Sequence, residues 1–85
     1  MKLKIELGGI ATIETFHDTV AQKLKFPVFY GRNLDAFWDC LSEIDDRIEI
    51  EIVGLESVKE PLKSEVMQYV ELLAEHQRGV KKQWR

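Results

Sequence analysis

The segment RIEIEIV (47–53) alternates charged and branched apolar residues, with Glu49 and Glu51 on one side and Ile48, Ile50 and Ile52 on the other. A two-residue period of this kind marks a strand with one buried and one wetted face. KLKIEL (2–7) repeats the pattern with mostly opposite charge: Leu3, Ile5 and Leu7 point one way, Lys2, Lys4 and Glu6 the other. Gly8 and Gly9 break that first strand. The stretches between and after the two strands have helical spacing instead.

The first helix is expected from about Ile13 to Lys25, with Thr12 as its cap, Glu14 at its positive end, and Ile13, Phe16, Val20 and Leu24 as its apolar stripe. Pro27 stops it. Asn33 is suited to cap a second helix over 34–43, whose apolar face carries Leu34, Phe37, Trp38, Leu41 and Ile44, with Phe37 and Trp38 expected in the core. A long third helix is marked by Leu62, Val66, Tyr69, Val70 and Leu73. Two starts compete for it: a capping box over Ser57–Glu60, or Pro61 at the first helical position. Gly79 is expected to end it, and VKKQWR (80–85) to form a third strand.

Strand, two helices, strand, helix, strand implies right-handed crossovers and a parallel sheet. Strands covered on both faces are continuously apolar, whereas these alternate, so one face is left to water. The expected fold is a two-layer α/β domain: a three-stranded parallel sheet with helices packed on one face. Setting the acidic Glu49/Glu51 strand between basic neighbours (Lys2 and Lys4; Lys81 and Arg85) gives the order 1-2-3.

The 85 residues are expected to form one domain, 1–85, with room for a single core but not for a large enclosed pocket. A net charge of -3 argues against direct nucleic-acid binding and against an anionic membrane surface. Cys40 is the sole cysteine, no apolar run approaches a membrane span, and the alternating N-terminus differs from a secretory signal, which together point to a reducing cytoplasm.

FPVFYGRNLDAFWDCL (26–41) holds the unusual chemistry, because five of its sixteen side chains are aromatic and two are aspartates. Asp35 suits a helix N-terminus. Asp39 lies four residues on and Glu43 four beyond that, a spacing at which like charges cost roughly 0.2–0.5 kcal/mol per pair. Asp45 and Asp46 deepen the field, with Arg32 the one base nearby. Phe29 and Tyr30 fall in a loop where no periodicity buries them. A solvated acidic face and a protein interface both fit these residues. His17 fits a structural histidine, His76 a partner for a helix's negative end, and Cys40 a small apolar residue. Carboxylates at 35, 39 and 43 make a poor metal cage, and no cofactor is implied.

This stretch resembles the loop and second helix of the barstar family of intracellular ribonuclease inhibitors. Pro27, Tyr30, Gly31, Asn33, Leu34, Asp35, Ala36, Trp38, Asp39, Cys40 and Leu41 match the motif, and a weaker likeness runs through the first strand and His17. The resemblance implies a non-enzymatic monomer that binds a basic, barnase-like ribonuclease, Asp39 standing where an RNA phosphate would sit. It also implies a contact surface of Phe29, Tyr30, Gly31, Asn33, Leu34, Asp35, Trp38, Asp39 and Glu43. The sequence departs from the pattern at Phe29 (a tyrosine in the family), Arg32 (an acid) and Ile44 (a tryptophan), and the acid of the last helix aligns with Ala74 or with Glu75. Two alternatives stay open: a docking module of the same fold with a non-nuclease partner, and a small hydrolase using Asp35 and Asp39 as an acid–base pair.

Overall fold

Both alternating segments are strands, and they pair in parallel. A computed structural model describes residues 2–45 and 47–82. Strand β1 (Lys2–Glu6) lies beside β2 (Glu49–Val53), with Lys2 opposite Glu49 and Lys4 opposite Glu51. The outward row of lysines and glutamates is exposed, and Lys2 Nζ lies 3.7 Å from Glu51 Oε1. On the inward side Ile5 is fully buried and Ile50 and Ile52 partly so. The second strand begins two residues later than its alternation suggests. A turn precedes it, closed by Ile48 N–H to the Asp45 carbonyl at 3.0 Å.

Helix α1 (Ile13–Leu24) starts as expected, Thr12 Oγ1 accepting from the Thr15 amide. It ends at Lys25, which adopts a left-handed conformation (φ 60°) and donates its amide to the Ala21 carbonyl. Pro27 therefore follows a stop already made. Helix α2 (Leu34–Leu41) is capped by Asn33, whose Oδ1 accepts from Ala36 N at 2.8 Å. It is two residues shorter than the periodicity predicts, because the chain tightens into three-residue hydrogen bonds, Glu43 N–H to Cys40 O and Ile44 N–H to Leu41 O.

A single 3-10 turn at Leu55–Ser57 precedes α3 (Leu62–Lys82). Neither expected start is quite right. Ser57 turns back to the Gly54 carbonyl, and the Glu60 carboxylate accepts from both the amide and the hydroxyl of Ser64. The helix then runs on through Gly79. Glycine permits a left-handed stop without imposing one. Residues 80–82 are thus helical, not a third strand, and 83–85 lie outside the described residues. Among the described residues the sheet has two strands.

The three helices cover the inward face of this sheet. Phe16 and Val20 from α1, Phe37 and Leu41 from α2, and Val66, Tyr69 and Leu73 from α3 meet Ile5 and Leu7 in one core. The rings of Phe16 and Phe37 both pack on Tyr69, with centroids 5.3 and 5.2 Å away. One backbone crossing fixes how the two strands leave the sheet. Gly54 has φ 84°, and a Cβ there would stand 2.8 Å from the Gly8 nitrogen.

Candidate partner-binding site

The loop from Phe26 to Asn33 joins α1 to α2, and its two central aromatics point in opposite directions. Phe29 is 83% exposed. Tyr30 is 8% exposed, so the expectation that nothing buries it is corrected. Its hydroxyl shares a 2.8 Å hydrogen bond with His17 Nδ1, and its ring packs edge-on against Phe26 and His17. His17 is itself buried at 4% exposure, with Tyr69 across its ring. Burial and the Arg32 charge hold its imidazole below the usual histidine range, and burial drives the Tyr30 phenol upward. Both groups are neutral near pH 7, and the bond anchors the loop from beneath.

Arg32 anchors it from outside. Its guanidinium is 2.5 Å from Asp18 Oδ1 on α1, and its backbone is left-handed at φ 56°. Gly31 and Asn33 serve the turn: Asn33 Nδ2 donates to the Gly31 carbonyl, and a Cβ at Gly31 would press on Ala36 at 3.2 Å. Both residues remain exposed beside α2.

Along α2, Phe37 and Leu41 face the core while Asp35 and Asp39 stand exposed, as does Glu43 in the turn that follows. Trp38 corrects a second expectation. It is 38% exposed, and its ring meets His76 of α3 edge to face at 6.0 Å. His76 is half-buried, its imidazole shifted down by that burial, so it is a packing partner for Trp38. Asp45 is not an unpaired acid. The Arg47 guanidinium and amide hold its carboxylate at 2.8–3.2 Å and bring its pKa to about 2. Arg32 is therefore not the sole base near this face. Asp46 lies outside the described residues.

Two grooves flank the helix. Between α2 and α3 a hollow of about 640 Å³ is lined by Leu34, Asp35, Trp38, Asp39, Gln68, Glu71, Leu72 and Glu75. Of the two positions that the resemblance offers for the acid of the last helix, Glu75 lines this hollow beside Asp35 and Asp39, and Ala74 is not among the lining residues. Glu71 and Gln68 are site candidates that the sequence reading missed. Glu71 and Glu75 repeat on α3 the four-residue acid spacing of Asp35 and Asp39, which was the available signal. On the other side of α2 a hollow of about 680 Å³ runs between the 24–29 segment and residues 39–48. Phe29 and Ile44, two of the departures from the family pattern, both line it. Asp39 is common to the two grooves.

Among the described residues the ion pairs are Lys2–Glu51, Asp18–Arg32 and Asp45–Arg47, none of which uses Asp35, Asp39 or Glu43. No group of three or more potential metal ligands comes together among the described residues, and no helix is long and apolar enough to cross a membrane. What the surface offers is an acidic ridge with one exposed aromatic on either side.

No solved structure matches the chain. Over 41 residues it is 51% identical to a Bacillus subtilis (strain 168) protein named "Putative ribonuclease inhibitor YrdF", a match that covers 48% of this chain and 45% of that relative. The matched stretch thus spans less than half of the relative's length. The family model described as "Barstar (barnase inhibitor)" matches residues 1–85. With the anchored loop, the capped α2 and its acidic ridge all within that match, the chain belongs to the barstar family.

Proposed function

We propose that the protein is a non-enzymatic inhibitor of a basic ribonuclease, a cytoplasmic monomer that covers the nuclease active site with α2 and the loop before it. Asp39 supports this reading most directly. Its carboxylate is exposed, sits between two grooves, and takes no part in an ion pair among the described residues. A cleft that binds RNA presents cations spaced for phosphate, and a carboxylate on a convex ridge can enter it and receive charge-assisted hydrogen bonds. Asp35, Glu71 and Glu75 add acids on one flank, while Phe29 offers a rigid apolar anchor on the other.

The ridge is held ready before contact. Asn33 fixes the start of α2, Phe37 and Leu41 pin its inner face, and the His17–Tyr30 bond seats the loop. Little ordering is left for the binding step, which favours affinity at a given contact area. The test is inhibition of RNA hydrolysis by purified barnase and by other small basic ribonucleases, titrated with the pure chain. Stoichiometric inhibition that is lost in Asp39→Ala is the expected result. Failure to inhibit any of them, or RNA hydrolysis by the chain itself, would overturn the reading.

A further inference from the structure

The groove on the 24–29 side of α2 has a chemistry distinct from the α2–α3 groove. Leu24, Phe26, Phe29, Ile44 and Ile48 give it an apolar lining, and Asp39 of α2 and Glu43 of the turn after it border it. The third bordering acid, Asp45, is already taken by Arg47. Among the described residues Lys25 is the one cation of the lining, so Asp39 and Glu43 leave the border acidic overall. Phe29 is held out into water by a loop whose next residue is locked into the core through His17. An exposed apolar wall beside carboxylates that have no ion-pair partner among the described residues is complementary to a side chain that is bulky and apolar with a cation immediately next to it.

We propose that this groove receives, from the partner protein, an aromatic or branched aliphatic side chain adjacent in sequence to an arginine or lysine. The apolar group lies between Phe29 and Ile44, and the cation reaches Asp39 and Glu43. The inference rests on α2 being the inhibitory surface, and it names the groove as the place where one basic partner is told from another. An anionic ligand is disfavoured by the border, and a purely cationic one leaves the apolar lining uncovered.

The test is an NMR titration of the full chain with acetyl-Phe-Arg-amide, with acetyl-Phe-Glu-amide and acetyl-Ala-Arg-amide for comparison. The first is expected to shift the Leu24, Ile44 and Ile48 methyl signals saturably in the millimolar range. The Phe-Glu compound should bind roughly two- to fivefold more weakly, the contribution of an exposed ion pair. Ile44→Trp, which fills the groove, should abolish the shifts. Glu43→Lys, a change at an exposed position that leaves the core untouched, should reverse the preference between arginine and glutamate. Equal binding of the Phe-Glu and Phe-Arg compounds, or shifts confined to the α2–α3 groove, would overturn the proposal. Ribonuclease inhibition measured on the same variants keeps the two readings apart. Groove binding without inhibition of any ribonuclease removes the functional reading alone, and inhibition without groove binding removes this one alone.

Discussion

Changing Tyr30 to Phe removes a single oxygen from the core and leaves the ring contacts to Phe26 and His17 in place. What it takes away is the partner of His17 Nδ1, 2.8 Å distant, in a site where both residues are buried. A buried polar atom left without a partner costs its desolvation, about 1–3 kcal/mol. For a domain of this size each kcal/mol lowers Tm by about 4–8 °C. Urea unfolding at pH 7, followed by circular dichroism, should show a lower midpoint with an unchanged slope, since the surface exposed on unfolding stays the same. Inhibition of a bound ribonuclease should change little, because the hydroxyl does not reach the surface. An unchanged midpoint together with weakened inhibition would refute this reasoning and return Tyr30 to the contact surface.

Asp39→Ala should abolish most inhibition while raising stability by a few tenths of a kcal/mol, through relief of the Asp35–Asp39 repulsion; paired inhibition and urea measurements check both. The folded-state pKa values of His17 and His76 lie below the histidine reference of 6.5, so the unfolded chain binds more protons as pH falls through that value. Their contribution is fully present above about pH 6.5 and is lost as pH drops below it, so urea midpoints should fall from pH 7 to pH 5, and less steeply in His17→Gln. Gly54→Ala should destabilise by at least about 1–2 kcal/mol, the strain of a left-handed alanine alone, with the 2.8 Å approach to Gly8 adding to it; thermal unfolding reads the loss. Association with the target should slow steeply as NaCl rises while dissociation changes little, because exposed charges are screened beyond about 8 Å at physiological salt; stopped-flow rates flat in salt would count against an attractive role for Asp35, Asp39 and Glu43.

The elements legible in the sequence were those written in local rules. Alternation in 2–7 and 47–53 gave both strands, and the polar side chains of Thr12 and Asn33 gave two helix starts. What escaped was set by distant contacts. Nothing local distinguishes Phe29 from Tyr30. The difference comes from His17, thirteen residues earlier, offering a buried partner to the one ring that carries a hydroxyl. Trp38 shares an apolar stripe with Phe37, yet it sits at the margin of the stripe and meets His76 instead of the core. The third strand expected over 80–85 depends on a helix stop at Gly79, and α3 passes through that glycine to Lys82. Glu71 was hidden by the opposite habit, that an acid on the outer side of a long helix passes for solvation, whereas Glu75 is offered only by the family resemblance.

Helix α2 and the turn after it carry two kinds of residue that the structure separates. Leu34, Phe37 and Leu41 pack on the core, and Asp35, Asp39 and Glu43 stand exposed. An eight-residue helix is too short to persist alone, and its neighbouring like charges weaken it further. Burial of Phe37 and Leu41, at 1% and 0% exposure, contributes about 1.5–3 kcal/mol each, several times the repulsion of roughly 0.2–0.5 kcal/mol per acid pair. The inner face therefore wins, and the outer face can keep carboxylates in an arrangement that is unfavourable in isolation. That arrangement improves only when positive charge arrives from outside. A surface tuned for the free protein's own stability would have placed a lysine four residues from Asp35. Position 39 carries an aspartate instead, and on the inhibitor reading proposed above the difference is stability held back for a partner.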